Sequence, residues 1–274
     1  MRVLHGSLAL AIGSLCLGLV LSAQDAPSPV LSPEAMEEFL LNAELSDIRD
    51  VGEGITGTRR AVGSDGRFTH DVHIQTVDIR RSAFAVDGGR VERNFRDSYA
   101  YNIAAYRLAV LLGIDSVPMS VFRIVRGERA AVTWWVDDVA MTERERTAQR
   151  TYGPNPGQTV QQFYTMYVFD ELIQNRDRNQ GNMLWTSDWK MWLIDHTRAF
   201  RPQVEITEPV RLTRIRRGLL ETLRRLTPQA LEAAAGDYLT GSQRSRVLER
   251  RDLLVRHFDE RIGRLGESRV LIDD

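Results

Sequence analysis

The sequence predicts an α+β fold of two lobes: a small antiparallel β-sheet with one helix, followed by a mainly helical lobe. Two glycine-bearing turns in the first half of the chain are flanked by runs rich in β-branched residues, a pattern typical of antiparallel hairpins. From residue 159 onward, apolar residues recur with helical spacing. No internal repeat or low-complexity tract interrupts this order, so we expect a single two-lobed domain.

The first 23 residues have the pattern of a secretory signal peptide. One positive charge, at Arg2, precedes an apolar run from Leu8 to Leu21, and the small residue Ala23 precedes a polar stretch. The run is shorter than the roughly 20 apolar residues that span a bilayer. We therefore expect an exported protein, periplasmic or extracellular, that keeps no stable membrane span after cleavage.

The rest of the chain divides into three parts. Residues 24–45 are expected to form a leader that ends in a short helix, residues 46–140 the β-rich N-terminal lobe, and residues 141–274 the helical C-terminal lobe. Charges are nearly balanced, with 36 Lys and Arg against 37 Asp and Glu, which gives no electrostatic case for a nucleic-acid partner. The single cysteine, Cys16, falls in the predicted signal peptide, so we expect no disulfide in the mature chain.

Turn and cap residues mark the elements of the N-terminal lobe. Ser32 is expected to cap the first helix, because it stands directly before Pro33 and an acidic first turn. The other predicted elements are a polar strand before a turn at residues 63–66, a strand from Phe68 to Ile79, a helix from Arg93 to Leu112, and a hairpin with strands from Val117 to Val125 and from Ala130 to Val136.

Helical patterns dominate the C-terminal lobe. Residues 142–157 are polar and contain Gly and Pro, so we expect a loop there. The elements predicted after it are a helix from Thr159 to Gln174, strands from Met183 to Trp185 and from Met191 to Ile194, and helices from Arg211 to Leu226, from Thr227 to Tyr238 and from Ser242 to Leu265. Thr227 and Ser242 are the expected caps. The arginines between residues 211 and 225 could form a phosphate-binding patch, but an exposed helix face with acidic partners is the favoured interpretation.

The stretch from Asn175 to Phe200 carries the candidate chemistry. A helix leads into it and a strand-turn-strand carries its second half, so Asp177, Asn182 and Asp195 are expected to converge at one edge. A carboxylate can orient an attacking hydroxyl, an amide oxygen can coordinate a divalent ion, and a second carboxylate can hold that ion against nucleotide phosphates. Oxygen ligands with retained waters suit Mg²⁺ or Mn²⁺. The pattern predicts a metal-dependent phosphoryl-transfer site, and a polar turn selected for backbone reasons is the alternative.

The same stretch resembles the atypical kinases. The pattern N-x-D-R-x-x-x-N followed by L-I-D-H-x-x-x-F is similar to the phosphatidylinositol 3/4-kinase-like group and to the secretory-pathway kinases of the Four-jointed type. Residues 101–118 likewise resemble the helix and strand entry of bacterial and secretory members. The resemblance implies a bilobal protein-kinase-like fold in which Asp177 orients the acceptor hydroxyl and Asn182 and Asp195 bind Mg²⁺ or Mn²⁺ beside ATP. It also assigns Arg178 to the charge of the transferred phosphate.

The nucleotide site implied by the resemblance departs from the family pattern. Gly52, Gly54 and Gly57 are expected to cover the phosphates. Gln75, however, stands at the position of the family's strand lysine, and Asn102 stands at that of its glutamate partner. We interpret the two amides as a matched replacement, because losing both charges leaves neither one buried alone.

Two functions of different class remain open. The first is an exported atypical kinase that transfers the γ-phosphoryl group of ATP to an unknown hydroxyl on a protein, a sugar or a lipid headgroup. The second is an exported pseudokinase, a binding or scaffolding module. It is favoured by the two amides, by the position of the only lysine, Lys190, in a hairpin turn, and by His73, which stands where a small residue usually lines the adenine pocket. Transfer of the nucleotide is a third possibility, since it uses similar metal geometry.

Overall fold

The computed structural model describes residues 31–51, 58–85 and 91–273 of the chain. The predicted signal peptide and the three glycines assigned to the phosphates lie outside the described residues. The described chain forms two lobes, one built on a five-stranded antiparallel sheet and the other mainly helical.

The helices and strands follow one another in an order that separates the two lobes. Their bounds are α1 Pro33–Asn42, β1 Glu44–Asp50, β2 Arg59–Ser64, β3 Thr69–Gln75, β4 Asp78–Ala85, β5 Val91–Ser98, α2 Ala100–Leu111, β6 Ser120–Val125, β7 Glu128–Trp134, β8 Val139–Thr142, α3 Glu143–Gln149, α4 Pro156–Ile173, β9 Met183–Thr186, β10 Met191–Leu193, β11 Ile215–Arg216, α5 Arg217–Arg225, α6 Pro228–Ala235, α7 Gly241–Leu265, α8 Glu267–Val270 and β12 Leu271–Ile272. β8 pairs with β9, so the predicted lobe boundary after residue 140 falls within a strand of the second lobe.

The N-terminal sheet has the strand order β1-β2-β3-β7-β6, and all neighbouring strands are antiparallel. Val72 and Ile74, two residues apart on β3, are completely buried because one face of the sheet is covered. α1 supplies part of that cover through Phe39 and Leu40. The helix that the sequence placed in a leader therefore packs on the sheet. Its predicted cap is confirmed, since Ser32 Oγ accepts a backbone N–H of the first turn at 3.2 Å.

A separate hairpin of β4 and β5 replaces parts of two predicted elements. The strand expected from Phe68 to Ile79 ends at Gln75, whose side-chain oxygen accepts the N–H groups of the next two residues and turns the chain. The helix expected from Arg93 begins only at Ala100. Residues 91–98 pair with β4 instead. The two predictions are wrong because strand pairing, a contact between distant residues, overrides local preference.

One hydrophobic core extends through the C-terminal lobe and includes α2. α4 contributes Phe169 and Leu172 and α7 contributes Leu254 and Phe258, all of them completely buried. α2 adds Leu108 to the same cluster, so the helix of the N-terminal lobe packs on the C-terminal lobe. The predicted helix α4 and the predicted β9–β10 hairpin are confirmed.

α3 lies where the sequence predicted a loop. Thr142 and Glu145 form a capping box, in which each side chain accepts the backbone N–H of the other residue. On the buried side, Glu143 pairs with Arg146 at 2.6 Å and accepts the indole N–H of Trp185 at 2.9 Å. The loop prediction is wrong because these polar residues satisfy one another within a helix.

The last helices differ from prediction mainly where they begin. α5 begins at Arg217 instead of Arg211. Thr227 caps α6 as predicted, since its hydroxyl accepts a first-turn N–H. α7 is capped by Thr240, two residues before the predicted cap Ser242, through a capping box with Gln243.

The arginines between residues 211 and 225 have partners inside the chain. Arg217 pairs with Glu267 at 3.1 Å, and Arg225 lies 3.9 Å from Glu221. These contacts agree with an exposed helix face that has acidic partners. None of the helices in the described ranges combines the length and apolar character needed to cross a bilayer.

The capping box of α3 provides a test of this fold. We expect Thr142→Ala to lower the free energy of unfolding by about 1 kcal/mol, because a first-turn N–H loses its acceptor. Arg144→Ala, a change at an exposed position of the same helix, should alter it by less than about 0.5 kcal/mol. Chemical denaturation measures both variants, and equal stabilities would contradict the capping box.

Candidate active site

The site loop, residues 175–182, begins where α4 ends in left-handed backbone with a φ of 50°. Asn175 holds the turn from two sides, because its Oδ1 accepts the N–H of Asp177 at 3.1 Å and its Nδ2 donates to Asp170 at 3.3 Å. Asn182 closes the loop by donating from Nδ2 to the carbonyl oxygen of Asp177 at 3.2 Å. The backbone of Asp177 is therefore held by side chains on both sides.

Arg178 ties the site loop to the structure behind it. Its Nε and Nη2 donate to the two carboxylate oxygens of Asp170, at 3.0 and 3.1 Å, in an almost completely buried pair. Its Nη1 donates to the carbonyl oxygens of Asn182 at 3.0 Å and Ile194 at 2.7 Å. Its Nη2 also lies 2.9 Å from Nε2 of His196. Because these contacts occupy the guanidinium, the geometry contradicts its assignment to a transferred phosphate and makes Arg178 a positioning residue.

Asp195 reaches the site loop at the end of β10. The N–H of the preceding residue, Ile194, donates to the carbonyl oxygen of Asn182 at 3.1 Å. Thr197 then holds Oδ1 of Asp195 through its hydroxyl at 2.8 Å and its N–H at 3.2 Å. Together with the Asn182 bond to Asp177, these contacts bring Asp177, Asn182 and Asp195 to one place, as their spacing predicted.

Asp177 is a partly exposed carboxylate in a charged setting. Burial raises the pKa of its carboxyl group above the ordinary value; the Arg198 guanidinium opposes that rise and the Asp195 carboxylate adds to it. Nη1 of Arg198 lies 3.3 Å from Oδ2 of Asp177, whose side chain is 37% exposed. A carboxyl group with a raised pKa that solvent can reach is suited to accept a proton from an approaching hydroxyl.

Two side-chain oxygens at the site, one from Asn182 and one from Asp195, are suited to coordinate a divalent ion. Asn182 uses Nδ2 within the loop and Asp195 uses Oδ1, and among the described residues no hydrogen bond occupies Oδ1 of Asn182 or Oδ2 of Asp195. Mg²⁺ tolerates two protein ligands, because waters and phosphate oxygens complete its octahedron. No group of three or more His, Cys, Asp or Glu side chains in the described parts of the chain could hold a metal alone.

Gln75 and Asn102 each bind backbone groups. Oε1 of Gln75 accepts the N–H groups of Thr76 at 3.0 Å and Val77 at 3.1 Å. Oδ1 of Asn102 accepts the N–H of His196 at 2.7 Å. Within the described residues no hydrogen bond joins the two amides, and their interpretation as a matched replacement for a charged pair stays a prediction. Each amide oxygen satisfies backbone N–H groups that would otherwise lack an acceptor.

A neutral histidine completes the link from α2 to the site. Burial lowers the pKa of His196 well below its ordinary value, and the Arg178 cation lowers it further. The uncharged ring can then accept an N–H of Arg178 at Nε2. Just before α2, the N–H of Ser98 donates to the carbonyl oxygen of Thr197 at 2.8 Å. The N-terminal lobe thus holds the residues that directly follow Asp195.

His73 lies on β3, where burial lowers the pKa of its imidazole and the Asp195 carboxylate opposes that shift. Its place beside the adenine pocket stays a prediction. A neutral imidazole there can donate or accept one hydrogen bond with a ligand.

In the sequence, the three glycines assigned to the phosphates fall between β1 and β2. These strands pair, and the N–H of Val51 donates to the carbonyl oxygen of Thr58 at 2.9 Å. Because Gly52, Gly54 and Gly57 lie outside the described residues, their role over the phosphates stays a prediction.

Sequence reasoning missed two residues of this site, Arg198 and Asp97. Nε of Arg198 donates to Oδ2 of Asp97 at 3.2 Å, although 101 positions separate them. Asp97 is 1% exposed and lies at the end of β5, in a segment predicted as helix. The only available signal was a basic residue three positions after Asp195, which by itself indicates no partner.

Comparisons with known proteins were made for sequence and for structure. No protein-family model matches the sequence, and no curated protein matches it. Among solved structures, Fam20 of hydra, determined with sugar, has a TM-score of 0.64 at 14% identity, over 88% of this chain and 92% of that one. The proinflammatory kinase CtkA of Helicobacter pylori has a TM-score of 0.51 at 11% identity, over 82% of this chain and 98% of that one. HipA of Shewanella oneidensis MR-1, in complex with HipB and operator DNA, has a TM-score of 0.38 at 13% identity, over 86% and 72%.

The first two likenesses establish the fold. Both cover most of this chain and nearly all of the matched chain. The α+β, bilobal, protein-kinase-like fold predicted from the sequence is therefore confirmed. Identities of 14% and 11% carry no residue roles from those proteins to this one.

Removal of the Arg178 side-chain charge should destabilise the fold, because the buried carboxylate of Asp170 would lose its cation. We expect Arg178→Gln to lower the free energy of unfolding by about 3–5 kcal/mol. Arg176→Gln is the matched control: Arg176 lies 3.7 Å from Glu171 and is 26% exposed, so its loss should cost less than about 1 kcal/mol. Urea unfolding followed by tryptophan fluorescence measures both, and similar losses would refute this structural role of Arg178.

Proposed function

We propose that this chain is an exported atypical kinase that transfers the γ-phosphoryl group of ATP to a hydroxyl acceptor, with Mg²⁺ or Mn²⁺. The observation that carries the proposal is the convergence of Asp177, Asn182 and Asp195 on one hydrogen-bonded loop within a kinase-like fold. Phosphoryl transfer depends on positioning and on charge stabilisation, and these side chains supply oxygen atoms for both purposes.

Asn182 and Asp195 would hold the divalent ion. When bound, such an ion bridges phosphate oxygens and neutralises the charge that develops on them. Thr197 orients the Asp195 carboxylate through two bonds to Oδ1, and the bond from Asn182 Nδ2 to the loop directs the opposite end of that amide. The side chains of Asn182 and Asp195 are therefore oriented before the ion and the nucleotide bind, which lowers the free-energy cost of binding.

Asp177 would orient the acceptor hydroxyl and accept its proton. Its backbone is held by Asn175 and Asn182, while its side chain stays partly exposed. Burial raises the pKa of the carboxyl group, which increases its basicity once it is ionised. The carboxylate is thus fixed in position and still accessible to an acceptor.

The absence of a lysine–glutamate pair does not leave α2 unattached. Asn102 accepts the N–H of His196, and the N–H of Ser98 donates to Thr197. α2 and its preceding residues therefore hold the segment after Asp195 through neutral hydrogen bonds. Such bonds avoid the desolvation penalty of a buried ion pair, so this arrangement supports a working site with altered contacts.

One observation favours a second candidate, an exported pseudokinase that acts as a binding or scaffolding module. The only lysine of the chain, Lys190, pairs with Asp115 at 3.0 Å beside the β9–β10 turn. No lysine is therefore present to bind the phosphates from β3, and Gln75 at that position uses its amide oxygen within its own turn. In this case the scaffold would bind a nucleotide or a partner without transfer.

The subgroup, the acceptor and the location are parts of the same proposal. The motifs around Asp177 and Asp195 resemble both the phosphatidylinositol 3/4-kinase-like group and the Four-jointed type. The matched hydra structure contains sugar and the Helicobacter pylori match is described as a kinase, which supports a phosphotransferase. The acceptor hydroxyl could belong to a protein, a sugar or a lipid headgroup. Export rests on the pattern of residues 1–23 alone.

Nucleotide binding and turnover test the proposal separately. We expect ATP to bind with Mg²⁺ or Mn²⁺, and Asp195→Ala to abolish that binding because the ion loses a charged ligand. Asp177→Asn should retain binding but lower ADP formation about 100-fold or more, because the proton acceptor is lost. Titration calorimetry measures the binding, and a coupled assay of ADP release, with water as the acceptor, measures turnover.

Asp237→Asn, at an exposed position of the C-terminal lobe, is the control and should match the unaltered protein. Metal-dependent binding with no ADP release would favour a pseudokinase that binds nucleotide. Failure to bind ATP with either metal would contradict the kinase and direct the search to protein partners of a scaffold.

A further inference from the structure

The site needs a cation near the transferred phosphate, and Arg178 does not supply it. Its side chain is 7% exposed. Its N–H groups are directed to Asp170, to His196 and to two backbone carbonyl oxygens. Because phosphoryl transfer places charge on the equatorial phosphate oxygens, another basic side chain close to Asp177 is the candidate for that role.

Arg198 is the basic side chain with that position. Its Nη1 lies 3.3 Å from Oδ2 of Asp177. Its Nε donates to Oδ2 of Asp97 at 3.2 Å, and its guanidinium lies over the ring of Phe95 at 5.3 Å. The side chain is 23% exposed, so its head is partly removed from water but accessible to a ligand. In the described chain the Asp97 bond is the one hydrogen bond of this guanidinium; Nη1 faces the Asp177 carboxylate, and Nη2 is left to donate to a phosphate.

Asp97 orients Arg198 from inside the protein. It is 1% exposed, and its Oδ1 has no hydrogen-bond partner among the described residues. A buried carboxylate with one unsatisfied oxygen destabilises the fold. In Asp97 that cost accompanies the contact of the other oxygen, Oδ2, with Arg198. The next residue, Ser98, donates its N–H to Thr197, which fixes β5 beside the residue that precedes Arg198.

A second arginine near Asp177, Arg201, contacts the backbone of the same segment. Arg201 is close enough to lower the pKa of Asp177, but less strongly than Arg198 does. Its Nε donates to the carbonyl oxygen of Arg198 at 3.2 Å, so it supports the backbone of the same segment.

We propose that Arg198 is a catalytic residue that contacts the phosphoryl group during transfer, and that Asp97 is the positioning residue that aims it. This inference rests on the proposed kinase function and deepens it. It replaces Arg178 by Arg198 as the source of positive charge at the reacting phosphate.

This arrangement serves a displacement at the γ-phosphorus of ATP. The oxygen of the acceptor hydroxyl forms a bond to the γ-phosphorus, and its proton passes to the carboxylate of Asp177. The bond between the γ-phosphorus and the bridging oxygen breaks, and its electron pair leaves with ADP. Arg198 donates from Nη to an equatorial oxygen whose negative charge increases in the transition state. A planar guanidinium held on one side by Asp97 is suited to that contact.

The test uses the full chain with MgADP and aluminium fluoride, a planar mimic of the transferred phosphoryl group. We expect Arg198→Gln to bind MgADP as the unaltered protein does, but to lose the gain in affinity that aluminium fluoride gives. ADP formation from ATP should fall about 100-fold or more, as when a transition-state donor is removed. Arg198→Lys should recover part of the affinity gain and part of the rate of ADP formation, because it restores the charge without the planar N–H donors of the guanidinium. Arg225→Gln, at a 71% exposed position, is the matched control.

Each outcome separates this inference from the proposed function. If the unaltered protein neither forms ADP nor binds MgADP more tightly with aluminium fluoride, the kinase proposal fails and this inference fails with it. If the unaltered protein does both and Arg198→Gln does both equally well, only the role of Arg198 is refuted. Equal losses of MgADP affinity with and without aluminium fluoride would also refute it, because they show ground-state binding.

The part of Asp97 is tested through Arg198. Asp97→Asn keeps the shape of the buried side chain. We expect it to lower ADP formation between about 10- and 100-fold, because the guanidinium of Arg198 is no longer held in position by a carboxylate. In the Arg198→Gln background, Asp97→Asn should have no additional effect. Multiplied effects in the double variant would show that Asp97 acts independently and would overturn its positioning role. Thermal unfolding of each variant confirms that folded protein is compared.

Discussion

The buried pair between Arg178 and Asp170 is the interaction on which the rest of the site depends. It joins the site loop to α4, and the same guanidinium holds the carbonyl oxygens of Asn182 and Ile194. Two segments that are separate in the chain, the loop and the end of β10, are thereby kept side by side. A planar group with five donors can do this, whereas a lysine would bind fewer of the same acceptors. The segments that carry the candidate metal ligands Asn182 and Asp195 are held together by this one side chain.

The second constraint joins the two lobes without charge. Asn102 and Ser98 bind the backbone of the residues after Asp195, and α2 packs into the core of the C-terminal lobe. An ion pair at this place would have to compensate for the desolvation of two charges, while an amide and a backbone N–H have a smaller penalty. These neutral hydrogen bonds therefore hold the two lobes together without a charged pair at this place.

Charge at the site is divided between two arginines with different environments. Arg178 is enclosed and saturated with partners, whereas Arg198 lies between Asp97 and Asp177 with part of its head exposed. The enclosed cation stabilises structure, because separating it from Asp170 leaves a buried charge. The accessible cation has donors to offer, so it is the better candidate for contact with a phosphate. A choice between a kinase and a pseudokinase therefore depends on more than the missing lysine.

Features that depend on neighbours in the chain could be predicted from the amino-acid sequence: the α+β layout, helix α4, the β9–β10 hairpin, the caps Ser32 and Thr227, and the spacing that brings Asp177, Asn182 and Asp195 together. The strand identity of residues 91–98 and the partners of the two arginines could not be predicted, because they depend on contacts between residues far apart in the chain. β5 is a strand because β4 lies beside it, and Arg198 has a buried partner because Asp97, 101 positions earlier, folds against it.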